Sequence, residues 1–237
     1  MEFDGQDIRL KNSDCEKDLG VHVDNKLNFE THINKRIKAA NRVLAIVRRT
    51  FYHMTAPIFR QVFKGLVRPI LEYAQSVWSP KSKRLISDIE DVQRRGSKLI
   101  PGFYNLSYPE RLRRLKMPTL AYRRARGDMI EVWKMLSPKN GYDQTLPSIL
   151  TLNPRTSHWS HSKQLYHKGS EKNILHNSFT RRILDTWNHL PEEVVRAKNQ
   201  KGEETLLAFE KALDRHWKNQ ELYYKFESKI MNTKYKN

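Results

Sequence analysis

Alternation opens the chain. Within residues 1–27, Ile8 and Leu10 share one face and Leu19, Val21 and Val23 another, with the polar Lys11-Asn12-Ser13-Asp14 between them. Period-two spacing of this kind predicts short strands closing as a hairpin. A hairpin is marginal alone, so it must lean on the helices that follow or on a sheet the chain lacks. From Phe29 the period turns helical, and Phe29, Ile33, Ile37, Ala40, Leu44, Val47 and Phe51 recur at three and four, with Asn28 or Thr31 as cap. A second helix should begin at Thr55 with Pro57 in its first turn and present Ile58, Val62, Phe63 and Leu66; Pro69 should bend or end it. Ile70, Tyr73, Ala74 and Val77 then resume helical spacing up to Trp78.

Ser79-Pro80-Lys81-Ser82 reads as a break, and a third helix over Lys83 to Lys98 should bury Leu85, Ile86, Ile89 and Val92 before Pro101-Gly102 stops it. Ser107-Tyr108-Pro109-Glu110 is a capping box with proline inside the first turn, which fixes a helix start at Ser107. Met117-Pro118-Thr119 resets the chain. The longer helix that follows should bury Tyr122, Ala125, Met129, Val132 or Trp133, and Leu136, with Gly127 marking close packing or local weakness. Beyond Ser137-Pro138 the sequence turns polar and loop-rich, with one or two short strands expected. Helical stripes return as Phe179, Ile183, Trp187 and Leu190, then as Leu206, Phe209, Leu213 and Trp217, and the lysine-rich tail from Tyr223 should fray. The expected organisation is therefore mainly α: a hairpin over 1–27, a helical core over 28–136, a loop-rich connector over 137–177 and a helical extension over 178–237.

Charge sharpens this picture. The 237 residues carry 44 Lys and Arg against 26 Asp and Glu, a formal net charge of +18. The surplus is densest from Arg94 to Arg126, where Arg94, Arg95, Lys98, Arg111, Arg113 and Arg114, then Arg123, Arg124 and Arg126, are opposed by Glu110 alone. Apolar residues such as Leu99, Tyr108, Leu112 and Leu120 are threaded through the same window, so this is a folded cationic surface rather than a disordered basic tail, and a polyphosphate is its natural counterpart. Arg42, Arg48 and Arg49 add positive charge on the first helix. One cysteine, Cys15, excludes an internal disulfide framework and a multi-thiolate zinc site. No apolar run approaches the roughly 18 residues a membrane span needs, so a soluble intracellular protein, nuclear or cytoplasmic, is expected.

Catalytic chemistry is sparse. Asp128 and Glu131 lie one helical turn apart, yet Arg124 four residues earlier offers Asp128 an ordinary ion pair. Asp88, Glu90 and Asp91 sit near Lys83 and Arg84 and read as salt-bridging. His158, His161, His167 and His176 fall in the loop-rich section without a thiolate or carboxylate at ligand spacing, so they read as a polar loop. There is no Gly-rich phosphate loop and no G-x-S-x-G turn. Trp133 and Trp187 lie on apolar stripes, whereas Tyr104, Tyr108 and Tyr122 sit in the basic window as candidates for stacking on bases. No cofactor or metal site is expected.

Several strings stand in a familiar order: Glu16-Lys17-Asp18-Leu19-Gly20-Val21-His22-Val23-Asp24, Lys38-Ala39-Ala40-Asn41-Arg42 with Arg48-Arg49, Leu66-Val67-Arg68-Pro69-Ile70-Leu71-Glu72-Tyr73-Ala74 and Val77-Trp78-Ser79-Pro80. They continue through Ile89-Glu90 with Val92-Gln93-Arg94-Arg95, Leu106-Ser107-Tyr108, Pro118-Thr119-Leu120 and Arg126-Gly127-Asp128-Met129, and reach Trp187-Asn188-His189-Leu190-Pro191. Together they resemble the carboxy-terminal part of a reverse transcriptase from a non-LTR, jockey-like (LINE-type) retrotransposon, with Gly96 and Ser97 departing mildly from its pattern. The resemblance implies a palm-edge hairpin, a multi-helix thumb-like bundle that grips template and primer, and a looser helical extension. The polymerase carboxylate motif and the endonuclease domain are absent, so no activity transfers. What transfers is the basic helical surface of Arg42, Arg48, Arg49, Arg94, Arg95, Lys98, Arg111, Arg123, Arg124 and Arg126. The expected function is non-catalytic RNA or DNA binding with little sequence preference. The alternatives are a module docking a separate polymerase palm through its hairpin, a metal-dependent nuclease using Asp128, Glu131 or the histidine loop, and an inert transposon remnant.

Overall fold

The computed structural model describes residues 2–3, 6–7, 13–137, 150–154, 161–166 and 178–231. Its amino-terminal end holds two antiparallel ribbons, β1 (Glu2–Phe3) with β2 (Gln6–Asp7), and β3 (Cys15–Asp18) with β4 (Val21–Asp24), the latter in register Glu16 opposite Val23 and Asp18 opposite Val21. The second ribbon leans on its own helices. Val21 is buried, the Tyr73 hydroxyl donates to the Leu19 carbonyl at 2.8 Å, Arg36 donates to the Gly20 carbonyl at 2.6 Å, and the His22 amide donates to His32 Nδ1 at 3.1 Å. Ile8 and Leu10 lie outside the described residues.

Helix α1 (Glu30–Thr50) starts where Asp24 accepts the amides of Lys26, Asn28 and Phe29, and Asn28 Oδ1 accepts that of Glu30 at 2.9 Å. α2 (Ala56–Val62) is capped by Thr55, as its sequence indicates. Pro69 does not break the chain. A π-helical turn over Phe63–Val67 precedes α3 (Arg68–Glu72), and this wider turn lets the helix pass a residue that has no amide hydrogen and whose ring would crowd the preceding turn. The extra residue rotates the buried stripe to Phe59, Phe63, Val67 and Leu71, so Leu66, expected inside, is exposed. Tyr73 and Val77 are exposed as well. The chain turns at left-handed Ala74 (φ 51°) into the short α4 (Gln75–Trp78), and Trp78, fully buried, hooks its indole nitrogen onto the Tyr73 carbonyl at 2.6 Å.

α5 (Lys83–Gly96) buries Leu85, Ile89 and Val92, and α6 (Tyr108–Leu115) begins at the capping box of Ser107 and Glu110. α7 (Leu120–Met135) buries both Val132 and Trp133 because it has two packed faces. Leu120 closes a first core made by β4 and α1 to α6. Tyr122, Met129, Val132 and Trp133 enter a second core with β6 (Leu165–Tyr166, paired with β5, Thr151–Leu152), α8 (Phe179–Asn188), α9 (Glu192–Val195) and α10 (Leu206–His216). In that second core Trp133 stacks on Phe209, and His161, Trp187 and Trp217 add further ring contacts. The two cores thus meet at the start of α7.

The carboxy-terminal stretch is held rather than frayed up to Met231. The Thr119 amide donates to the Tyr223 carbonyl at 2.9 Å, Gln220 exchanges two hydrogen bonds with the Met231 backbone, and Tyr224 and Phe226 pack against the first core. Among the described residues no helix is long and apolar enough to cross a membrane.

Candidate nucleic-acid interface

α1 and α5 run in parallel. Near their starts Arg84 pairs with Glu30, and near their ends Gly96 packs so closely on Leu44 that a Cβ there would lie 3.2 Å from Leu44 Cδ2. The basic last turns of both helices, Arg48 and Arg49 on α1 and Arg94 and Arg95 on α5, are thereby brought to one end of the bundle. α6 joins them, because the Arg111 guanidinium donates to the Arg94 carbonyl at 2.7 Å and to Ser97 Oγ at 2.8 Å, and the last turn of α6 carries Arg113 and Arg114.

The candidate cations fall into two groups. Arg42, Arg48, Arg49, Arg95, Lys98, Arg113 and Arg114 are exposed and form no ion pair among the described residues. Lys98 lies 5.5 Å over the exposed Tyr104 ring and Arg113 lies 5.3 Å over Tyr224. The others are committed inside the protein. Arg94 pairs with Asp91 and packs on Phe226; Arg123 grips Glu72 with two hydrogen bonds; Arg126 holds Asp214 at 2.6 and 3.0 Å; Arg111 is buried against Tyr108. Arg124 is 4% exposed and faces the carboxylates of Glu90, Asp128 and Glu72. Lys35 and Lys38 extend the exposed set along α1. With Arg42 and Arg49 they recur at three, four and seven residues, which keeps them on one solvent-facing stripe spanning about 21 Å of helix axis. Their spacing was visible in the sequence. What it could not show is which of the flanking cations are paired, because the acidic partners of Arg123 and Arg126 come from distant segments.

Glu90 and Asp128 are engaged otherwise than expected, while Asp88 and Asp91 form the expected salt bridges. Glu90 is wholly buried, where it accepts the Tyr108 hydroxyl and the amides of Leu120 and Ala121 and so caps α7. Burial raises its pKa above the ordinary range, against the opposing pull of those hydrogen bonds and of Arg124. Asp88 and Asp91 pair with Arg84 and Arg94. Asp128 is paired by Arg182 of α8, at 2.7 and 3.0 Å, rather than by Arg124. His161 is a buried core residue with Nε2 2.9 Å from the Trp187 carbonyl oxygen, while His158, His167 and His176 lie outside the described residues. No group of three His, Cys, Asp or Glu among the described residues is placed to hold a metal. Tyr108 and Tyr122 are buried, which leaves Tyr104, at 73% exposure, as the stacking candidate of the basic window.

A curated protein of Caenorhabditis elegans, "Uncharacterized protein B0403.1", is 29% identical over 110 residues, covering 45% of this chain and 56% of that protein, so the chain spans little more than half the length of the relative it matches. No family model matches the chain, and no solved structure does.

Proposed function

We propose that this chain derives from the post-palm, thumb-like region of a non-LTR retrotransposon reverse transcriptase, and that it binds RNA or DNA without catalysing a reaction. The contact surface is the stripe of Lys35, Lys38, Arg42 and Arg49 on α1 together with Arg48, Arg95, Lys98, Arg113 and Arg114 at the adjoining helix ends, and Tyr104 offers a ring for an unpaired base. Its site of action is then the nucleus or the cytoplasm. The observation that carries this reading is an exposed cationic stripe that meets no carboxylate among the described residues, with Lys35 resting on the His22 ring at 3.3 Å. Basic residues in a last turn already offset the helix dipole, by about 0.3–1 kcal/mol each, so Arg48, Arg49, Arg113 and Arg114 have a local use. Lys35, Lys38 and Arg42 lie too far from the end of α1 for that account. Docking of a separate palm through the hairpin has less support, since Val21 is buried, Val23 is partly buried, and both pack against the chain's own core.

Fluorescence anisotropy with labelled duplex DNA, duplex RNA and single strands tests the proposal. If about six phosphates are neutralised, log affinity should fall against log salt with a slope near −5 on duplex DNA. The triple variant Lys38→Ala, Arg42→Ala, Arg49→Ala should flatten that slope by about 2 to 3. Binding that ignores salt, or that survives the triple variant unchanged, would overturn the proposal.

A further inference from the structure

A second basic concentration lies away from the α1 stripe. A cleft of about 590 Å³ opens between the start of α5, the first half of α7, α8 and the segment after Leu222. It is lined by Lys81, Arg124, Arg181, Arg182 and Lys229 against the carboxylates of Asp128 and Asp185, while Met129, Phe226 and Ile230 give it an apolar wall. Its size is that of a site for a small organic ligand.

Arg124 lies deepest in the cleft. It is 4% exposed and faces the carboxylates of Glu90, Asp128 and Glu72. The carboxylates around it are all engaged elsewhere: Glu90 by the Leu120 and Ala121 amides, Glu72 by Arg123, and Asp128 by Arg182. Arg182 is only partly satisfied, because Nε and Nη2 serve Asp128 and the Ser76 carbonyl while buried Nη1 has no partner. Burial lowers the pKa of Arg124 and of Lys81, and the nearby charges of Arg181 and Arg182 push Lys81 down further, so positive charges crowd one another here. The buried, unpartnered Nη1 donor of Arg182 is costly, and a planar fork of N–H donors is matched by an oxyanion with two oxygens to offer.

We infer that this cleft is a binding site for a phosphoryl group carrying an apolar or aromatic body, with the phosphoryl oxygens on Arg124, Arg182 and Lys81 and the body against Met129 and Phe226. The phosphoryl group can belong to a free nucleotide or to the phosphorylated end of a nucleic-acid strand. The site stands independently of the α1 surface, which shares none of its residues.

Calorimetric titration of the full chain at matched ionic strength provides the test, with adenosine monophosphate, inorganic pyrophosphate, adenosine, and a short oligonucleotide with or without a 5′-phosphate. Adenosine monophosphate should bind and adenosine should not. Lys81→Ala and Arg181→Ala, both at the exposed rim, should each weaken binding about tenfold, and Arg124→Gln should abolish it. Far-UV circular dichroism of each variant reports whether the fold is kept, and the rim variants carry the test if Arg124→Gln unfolds. A stronger, Lys81-dependent response to the 5′-phosphorylated oligonucleotide assigns the ligand to strand ends, whereas tighter binding of the mononucleotide assigns it to free nucleotides. Binding of none of the phosphorylated probes, or binding indifferent to Lys81→Ala and Arg181→Ala, would overturn the site while leaving the salt-dependent binding along α1 untouched.

Discussion

The two ring nitrogens of His32 are in opposite situations: Nδ1 accepts the His22 amide at 3.1 Å, while buried Nε2 meets no partner. The neutral ring with its proton on Nε2 suits that pattern, and a second proton on Nδ1 would break the tie between α1 and the hairpin. Burial lowers the pKa to about 4, helped by Arg36, His22 and Lys35. The unfolded chain therefore takes up this proton near pH 6.5, long before the folded chain does. The stabilisation is complete above pH 6.5 and is lost as pH falls toward 4, by at most about 3 kcal/mol. In urea titrations His32→Asn, whose Oδ1 can still accept the amide, should show a flatter decline between pH 6.5 and 4.5 than the parent; parallel declines would clear His32 of the effect. Glu90 carries the opposite sign. Its folded pKa is raised, so its contribution shrinks as pH rises through and above the ordinary carboxylate range. Glu90→Ala strands the Leu120 and Ala121 amides and the Tyr108 hydroxyl and should cost about 3 kcal/mol or more, whereas Glu90→Gln, which keeps an acceptor, should cost less and flatten the pH dependence.

At Gly127 the short α4 meets α7, and a Cβ would fall 1.9 Å from Gln75 Nε2. Alanine there would gain about 1 kcal/mol of helix propensity, and the atom in its way is the free end of a flexible side chain, which can swing aside at little cost. Gly127→Ala should therefore hold or raise the urea midpoint; a lowered midpoint that adding Gln75→Ala restores would show that the Gln75 amide cannot move. The sequence had marked this glycine, along with the capping box at Ser107 and the stripes of α1, α5, α8 and α10, because each of those signals lies within about one or two turns of chain. Leu66 was misplaced because one extra residue in a π turn shifts the phase of a stripe, and apolar spacing does not announce that shift. Glu90 read as salt-bridging with Lys83 and Arg84 for a different reason. Only the docking of the start of α7, some 30 residues later, buries it. The shared face of the α1 cations follows from local spacing, but the cleft around Arg124 and Arg182 draws its residues from segments more than 100 positions apart when Lys81 and Lys229 are included, beyond the reach of any local pattern.

Both cores share α7, and further ties cross between them: Thr119 Oγ1 donates to the Leu222 carbonyl at 2.6 Å and Arg182 Nη2 to the Ser76 carbonyl at 2.8 Å. One core can hardly open without exposing a face of α7 that the other needs, so urea unfolding should be a single transition. In a Trp78→Phe variant, which removes the tryptophan of the first core, Trp133, Trp187 and Trp217 report the second core by fluorescence while far-UV circular dichroism reports helices of both, and separated midpoints would show that α7 fails to couple them. Superimposed on this is a net charge of +18, whose self-repulsion opposes the compact state and is relieved by salt within a screening length of about 8 to 10 Å at 0.10 to 0.15 M. Among the described residues the stripe along α1 has no acidic partners that salt would also weaken, so screening should act there mainly to stabilise. Raising sodium chloride from low concentration to about 0.15 M should then move the unfolding midpoint upward while nucleic-acid affinity falls steeply over the same range. The opposite signs separate a surface whose charge is used on a ligand from one whose charge is balanced within the fold, since internal ion pairs would make added salt lower the midpoint instead.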